Sequence, residues 1–273
     1  GPMLQGRLGA YRVVQHLGQE LDGALYEVAH EPSGRRAVAT VLPAGLAQAP
    51  RFAERFFAAA RRLERVRHPG VIGVVCARRV DGTLYALSER PAGETLAAHG
   101  LRLRAAPGSM TAMPVADAVA IAAQVAEALL AFHDVGLVYG GLRPERVFLC
   151  AGDSSEGPRV AILALGAVLA AVGARLPGDA RALRYRAPEQ LGGAALAGQK
   201  LTDRTDSYGL GLLLYELLTG EPPFTAADEG VLEKQQRYQP APRPGAPVPG
   251  PLGDLCLELL AKEPGRRPRL AVV

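Results

Sequence analysis

Through the first third of the chain, apolar positions come in short runs broken by turn residues; beyond it they recur at helical spacing. Residues 11–17 and 25–30 read as strands flanked by Gly18 and Gly23, and Pro32-Ser33-Gly34 reads as a turn before a third strand over 37–42. Over 49–67, the positions Phe52, Phe56, Ala59 and Leu63 fall on one face of a helix. Two more strands are expected at 71–78 and 83–88, around the turn Asp81-Gly82. From Glu89 the character changes: residues 113–133 predict a long amphipathic helix and 207–218 a strongly apolar one. Residues 101–113 carry little pattern, and 239–251 are proline-rich; the second reads as an extended connection rather than a ligand for a proline-binding domain. No segment repeats.

Composition narrows the class. A chain of 273 residues, 48% hydrophobic and 21% charged, suffices for one large or two-lobed unit with a sizeable core. The net charge of +4 is modest, and no long Lys/Arg run or nucleic-acid motif is present, so no nucleic-acid partner is expected. Cys76, Cys150 and Cys256 are odd in number and widely spaced, without a CxxC pattern. They read as reduced core thiols, which places the protein in the cytoplasm. The run 119–130 reads as too short or too amphipathic to cross a bilayer, so no membrane segment is expected. Gly1-Pro2 before Met3 resembles a protease-cleavage scar, and residues 1–10 are set aside as scar and leader.

The motifs are individually weak and collectively strong. Residues 17–26 (LGQELDGALY) stand where G-x-G-x-x-G-x-V is sought, and 37–42 (AVATVL) fit V-A-V-K-V-L. Arg67-His68-Pro69-Gly70-Val71-Ile72 fits an HPNIV turn, and 138–149 (VYGGLRPERVFL) fit V-H-R-D-L-K-P-x-N-V-x-L. Leu163-Ala164-Leu165-Gly166 stands for L-D-F-G, and Ala187-Pro188-Glu189 is an intact APE. Residues 206–211 with 219–224, then 261–268 (AKEPGRRP), complete the series in order. In this ordered set the chain resembles a bacterial Ser/Thr protein kinase domain from Tyr11 to its end. The resemblance implies an α+β, bilobal fold: a small antiparallel-sheet N-lobe with the αC helix over 11–89, and a larger helical C-lobe over 90–273.

The same alignment implies that the chemistry is altered. Phosphoryl transfer is mostly positioning and charge neutralisation. The phosphate-holding lysine position is Thr40, its αC glutamate partner Ala59, the base Gly141, the metal-binding asparagine Arg146 and the metal-binding aspartate Ala164. In the nucleotide pocket Glu20 replaces a glycine and opposes phosphate by charge, Val38 stands in the roof over adenine, and Phe148 stands beneath it. No metal and no cofactor are expected.

The structural parts persist. Glu189 and Arg267 match a buried ion pair, Asp206 matches the αF aspartate that accepts from the catalytic-loop backbone, and Leu63, Tyr139 and Leu165 match an apolar column between the lobes. Residues 167–186 hold no Ser or Thr to phosphorylate, but do hold Arg175, Arg181, Arg184 and Arg186. A solvated basic surface is the plain reading. The sharper one joins Arg143, Arg146, Arg181, Arg184 and Arg186 into a surface for an acidic or phosphorylated protein partner. His68 and His133 read as structural, in a turn and at a helix end. The expectation is a catalytically inactive pseudokinase that acts as a protein-binding scaffold or signalling regulator. The alternatives are a metal-independent nucleotide-binding switch and an unusual transferase; the latter would need Asp153 and Glu156 as metal carboxylates.

Overall fold

The computed structural model describes residues 6–20, 23–48, 51–89, 93–105, 112–150, 158–165, 183–191 and 201–273. The alternating first third folds into β1 (Arg7–Leu8), β2 (Tyr11–Glu20), β3 (Gly23–His30) and β4 (Arg36–Val41), joined later by β6 (Val74–Val80) and β7 (Thr83–Glu89). These make one antiparallel sheet in the order β1-β2-β3-β4-β7-β6. Alternation sends Tyr26, Val28, Ala37, Ala39, Val41, Tyr85 and Leu87 into a small core on one face. The opposite parity (Val38, Thr40, then Leu42) faces the main core, to which Leu42, Leu84 and Ala86 belong.

After the one-turn helix α1 (Ala44–Ala47), α2 (Phe52–Leu63) packs against β6 through Phe52, Phe56, Ala59, Ala60 and Leu63, the face the periodicity predicted. It is shorter than the expected 49–67, and the expected strand 71–78 is two strands, β5 (Val71–Ile72) and β6, divided at Gly73. β5 leaves the first sheet and pairs in parallel with β10 (Arg159–Leu163), in a second sheet ordered β5-β10-β9-β8 with β8 at Gly93–Thr95 and β9 at Val147–Cys150.

The rest is helical: α3 (Leu96–Ala105), α4 (Val115–Asp134), α5 (Asp203–Thr219), α6 (Glu229–Tyr238) and α7 (Gly250–Leu259). Residues 101–105, expected to be patternless, complete α3. Helix α5 is the axle of this half, since Tyr208, Leu210, Leu212, Leu213 and Leu214 are all buried. It ends where Gly220 takes φ 85°, a left-handed conformation that an L side chain would resist. Helix α4, at 20 residues and mean hydropathy 1.7, is long and apolar enough to cross a membrane by length and composition, which corrects the expectation of too short a run. Its apolar face, with Ile121, Val125, Leu129 and Phe132, packs on α5 and β10 as a core helix. One core runs from Phe56 and Leu63 of α2 through Tyr139 and Leu165 to Leu210 and Leu259, so the two halves share it.

Candidate functional site

The site is built where the first sheet, α2 and the loop after α4 converge. Its roof is β2–β4. Glu20 closes β2 opposite Gly23; the carboxylate itself lies outside the described side chains. Gly23 has φ 142°, and a Cβ there would come within 2.1 Å of Val41 O, so the close approach of β3 to β4 admits glycine alone. Val38 and Thr40 share one face of β4, with Thr40 opposite Leu25 on one side and Ala86 on the other. Thr40 and Ala59 are 3% and 4% exposed, so both are core residues.

The floor is the loop between α4 and β9. Asp206, 1% exposed on α5, accepts from Tyr139 N at 2.8 Å, from Gly140 N at 2.6 Å and from His133 Nε2 at 2.7 Å. These contacts tie α5 to the loop backbone and bring in His133, which the sequence offered only as a helix-end donor. Tyr139 also donates from its hydroxyl to Leu163 O at 2.8 Å. With Leu63 and Leu165 it stands fully buried in the common core, so the apolar column is assembled. Ala164 is buried too, its amide donating to Ile72 O. Phe148 is half-buried on β9 between Ala161 and Thr95, against the main core.

The arginines of the loop overturn part of the expected partner surface. Arg143 and Arg146 are 7% and 6% exposed, so neither presents a guanidinium to a partner. Arg146 Nη1 instead donates to Gly141 O at 2.9 Å and closes the loop on itself. Arg175 and Arg181 lie outside the described residues, and Arg184 and Arg186 are half-buried. Gln190 Nε2 reaches Gly140 O at 2.7 Å, a strap from the APE segment to the loop that no motif signalled.

The C-lobe tie is present. Arg267 donates to both oxygens of Glu189, at 2.7 and 2.9 Å, and Thr205 Oγ1 donates to Glu189 as well. Burial pushes the Glu189 carboxyl up, but the Arg267 hydrogen bonds and charge outweigh it and hold the group below its ordinary value. Beside the tie sits Lys262, whose ammonium donates to Gln236 O at 2.7 Å and lies 4.2 Å from the Phe224 ring centre. Burial first, and the Arg267 charge second, push it down to about 8 from 10.5. The unfolded chain therefore binds more protons between these values, and stability rises with pH there. Burial pushes the Cys256 thiol up to about 12, so above its ordinary 9 it works the other way. A rising urea midpoint from about pH 8 to about pH 9 is expected, and Lys262→Met should flatten it. A wild-type midpoint that stays flat or falls over that window would refute the assignment.

Magnesium does not fit these residues. The two positions that the resemblance gives to metal ligands hold a methyl group and a guanidinium, Ala164 and Arg146. Among the described residues no three His, Cys, Asp or Glu side chains group to hold a metal ion. What the arrangement does provide is a fixed loop, a closed column and a braced C-lobe.

Known proteins resolve the family. The model of the protein kinase domain matches residues 11–272. The serine/threonine-protein kinase Pkn1 of Myxococcus xanthus is 30% identical over 97% of this chain and 37% of its own length. Pkn2 of the same organism is 31% identical over 96% of the chain and 31% of its own length. The chain thus spans about a third of these curated relatives. Among solved structures, the Mycobacterium tuberculosis PknI kinase domain superposes with a TM-score of 0.73 at 26% identity, covering 98% of this chain and 94% of that one.

These matches overturn the expectation that the chain is not an enzyme. It rested on five aligned positions, whereas positioning and charge neutralisation are not bound to particular positions. The relatives that share the whole domain are named as serine/threonine kinases. Strand order, braced C-lobe and ordered motifs agree with the family match, and the chain belongs to the protein kinase domain family.

Proposed function

We propose that this kinase-family domain works in bacterial signalling by holding a protein partner, as a scaffold or regulator in the cytoplasm. One observation carries the reading: the family's chemical positions are given to packing while its structural ties are kept. Thr40, Ala59 and Ala164 are buried, and the Arg146 guanidinium is turned onto Gly141 O. Glu189–Arg267 and Asp206 meanwhile hold the platform rigid. A surface held rigid binds at a lower ordering cost. The names of the relatives favour a second reading, transfer of phosphate to Ser or Thr on that partner. A third is a nucleotide-binding switch without metal.

One experiment separates them. The partner is isolated with the intact protein, and its affinity is measured without ATP, with ATP alone and with ATP and magnesium; phosphate incorporation from labelled ATP is followed alongside. The proposal expects the same affinity in all three conditions. Affinity that appears only with ATP would install the switch. Labelled partner at a rate that follows the amount of domain would install the kinase reading.

A further inference from the structure

The charge of the chain is not spread evenly. Residues 51–67 contain six arginines and two glutamates, a net of +4. That equals the formal charge of the whole protein, so the other residues balance to zero. Most of this segment is α2, whose inner face is buried in the common core. At 100° per residue, Arg55, Ala58 and Arg62 fall within one outward stripe of α2, with Glu54 and Arg61 along one edge; Arg51 precedes the helix at φ 58° and Arg65 follows it in the next turn. All of these residues are exposed.

The stripe is poorly neutralised from within. Arg62 is held at the end of α4, where Nη2 donates to Val135 O and Gly136 O, both at 3.1 Å. That contact involves carbonyls and leaves the charge in place. Among the described residues no ion pair engages Arg51, Arg55, Arg61 or Arg65, and Glu54 and Glu64 pair with none of them. Guanidiniums that Glu54 and Glu64 leave unengaged are complementary to carboxylates from outside.

The spacing narrows the occupant. From Arg55 to Arg62 the stripe runs about 10.5 Å along the helix axis, and Arg65 extends it into the turn beyond. In an extended chain, every second side chain lies on one side at about 6.6 Å. We propose that the α2 stripe is a docking surface for an extended acidic segment of a protein partner, with Asp or Glu at alternate positions. The inference rests on the protein-binding reading above and replaces the buried Arg143 and Arg146 as its surface.

The probe is labelled poly-L-glutamate, titrated into the whole protein at low and at physiological salt. Arg55→Glu, Arg61→Glu and Arg65→Glu are combined in one variant. Arg35→Glu, Arg266→Glu and Arg269→Glu make a control with the same change in charge at exposed sites away from α2. Urea midpoints verify that both fold. The stripe variant should lose about tenfold or more in affinity, about 1.4 kcal/mol. Wild-type binding should weaken with salt, and the control should lose little. Equal losses in both variants would reduce the effect to net charge and overturn the proposal. An oligonucleotide of equal charge that binds more tightly, and is lost with the same three residues, would overturn it in favour of nucleic acid. The isolated partner gives the separating arm. If it binds the stripe variant as tightly as wild type, this surface is wrong while the protein-binding function stands. If the intact protein holds no protein partner, that function fails together with its surface.

Discussion

Arg267→Ala is expected to lower the unfolding free energy by about 3–5 kcal/mol, the cost of leaving a buried charge without its partner. Arg267 is 1% exposed, and its guanidinium has five N–H groups. All five are used: Nε on Ala261 O, Nη1 on Glu189 Oε1 and Arg204 O, and Nη2 on Glu189 Oε2 and Lys262 O. The truncation thus strands a carboxylate that is 9% exposed and three carbonyls at once. Lysine cannot supply the two-pronged contact and should restore only part of the loss. Urea midpoints for wild type, Arg267→Ala, Glu189→Ala and the double variant give the coupling energy, expected at about 1–3 kcal/mol. A coupling near zero would mean that the pair does not brace the C-lobe. The folded Glu189 carboxyl titrates below its ordinary 4.5, so its contribution is complete above that value and fades as the pH falls through the folded one. The acid limb of the stability profile should therefore be shallower in Glu189→Ala.

The contacts that brace the C-lobe were legible because motifs fix them by order. Glu189 and Arg267 lie 78 residues apart in sequence, beyond any periodicity, yet the APE run and the late Arg-Pro pair mark both ends. Local pattern also located β3, β4, β7, α4 and α5, since each puts one face, or nearly all of itself, in a core. It failed where that condition fails. Helix α3 buries only Leu96 and Ala97, so it leaves little apolar rhythm to read. Strand β2 runs past Gly18 to Glu20, because pairing with β3 continues through a register shift that composition does not announce. Gly73 divides one expected strand into two that join different sheets. The arginines of the loop were misplaced for a related reason. A guanidinium reads as surface unless an acceptor awaits it, and the acceptor of Arg146 is a backbone carbonyl, which carries no sequence signal. The roles of His133 and Gln190 were likewise hidden, each depending on a partner far away in the chain.

Asp206→Ala should produce the second large loss, about 2–4 kcal/mol, because it strands a buried amide at about 1–3 kcal/mol and a half-buried one at the lower end of that range. The amides belong to Tyr139 and Gly140, and their distances of 2.8 and 2.6 Å leave no room for water between donor and acceptor. Tyr139 is fully buried in the shared core, so the loop is pinned from two sides: by Asp206 beneath its backbone and by packing around its ring. Losing the first pin should loosen the loop before it unfolds the lobe. Hydrogen exchange at the Tyr139 and Gly140 amides should therefore accelerate by more than the fall in global stability explains. His133→Ala keeps both amide contacts and should cost less. Asp206→Asn keeps one acceptor oxygen but turns donors toward donors, so it should fall between aspartate and alanine. Exchange that tracks global stability in Asp206→Ala would mean the loop is held by core packing alone, and the aspartate would then be a passenger on α5 rather than its link to the site.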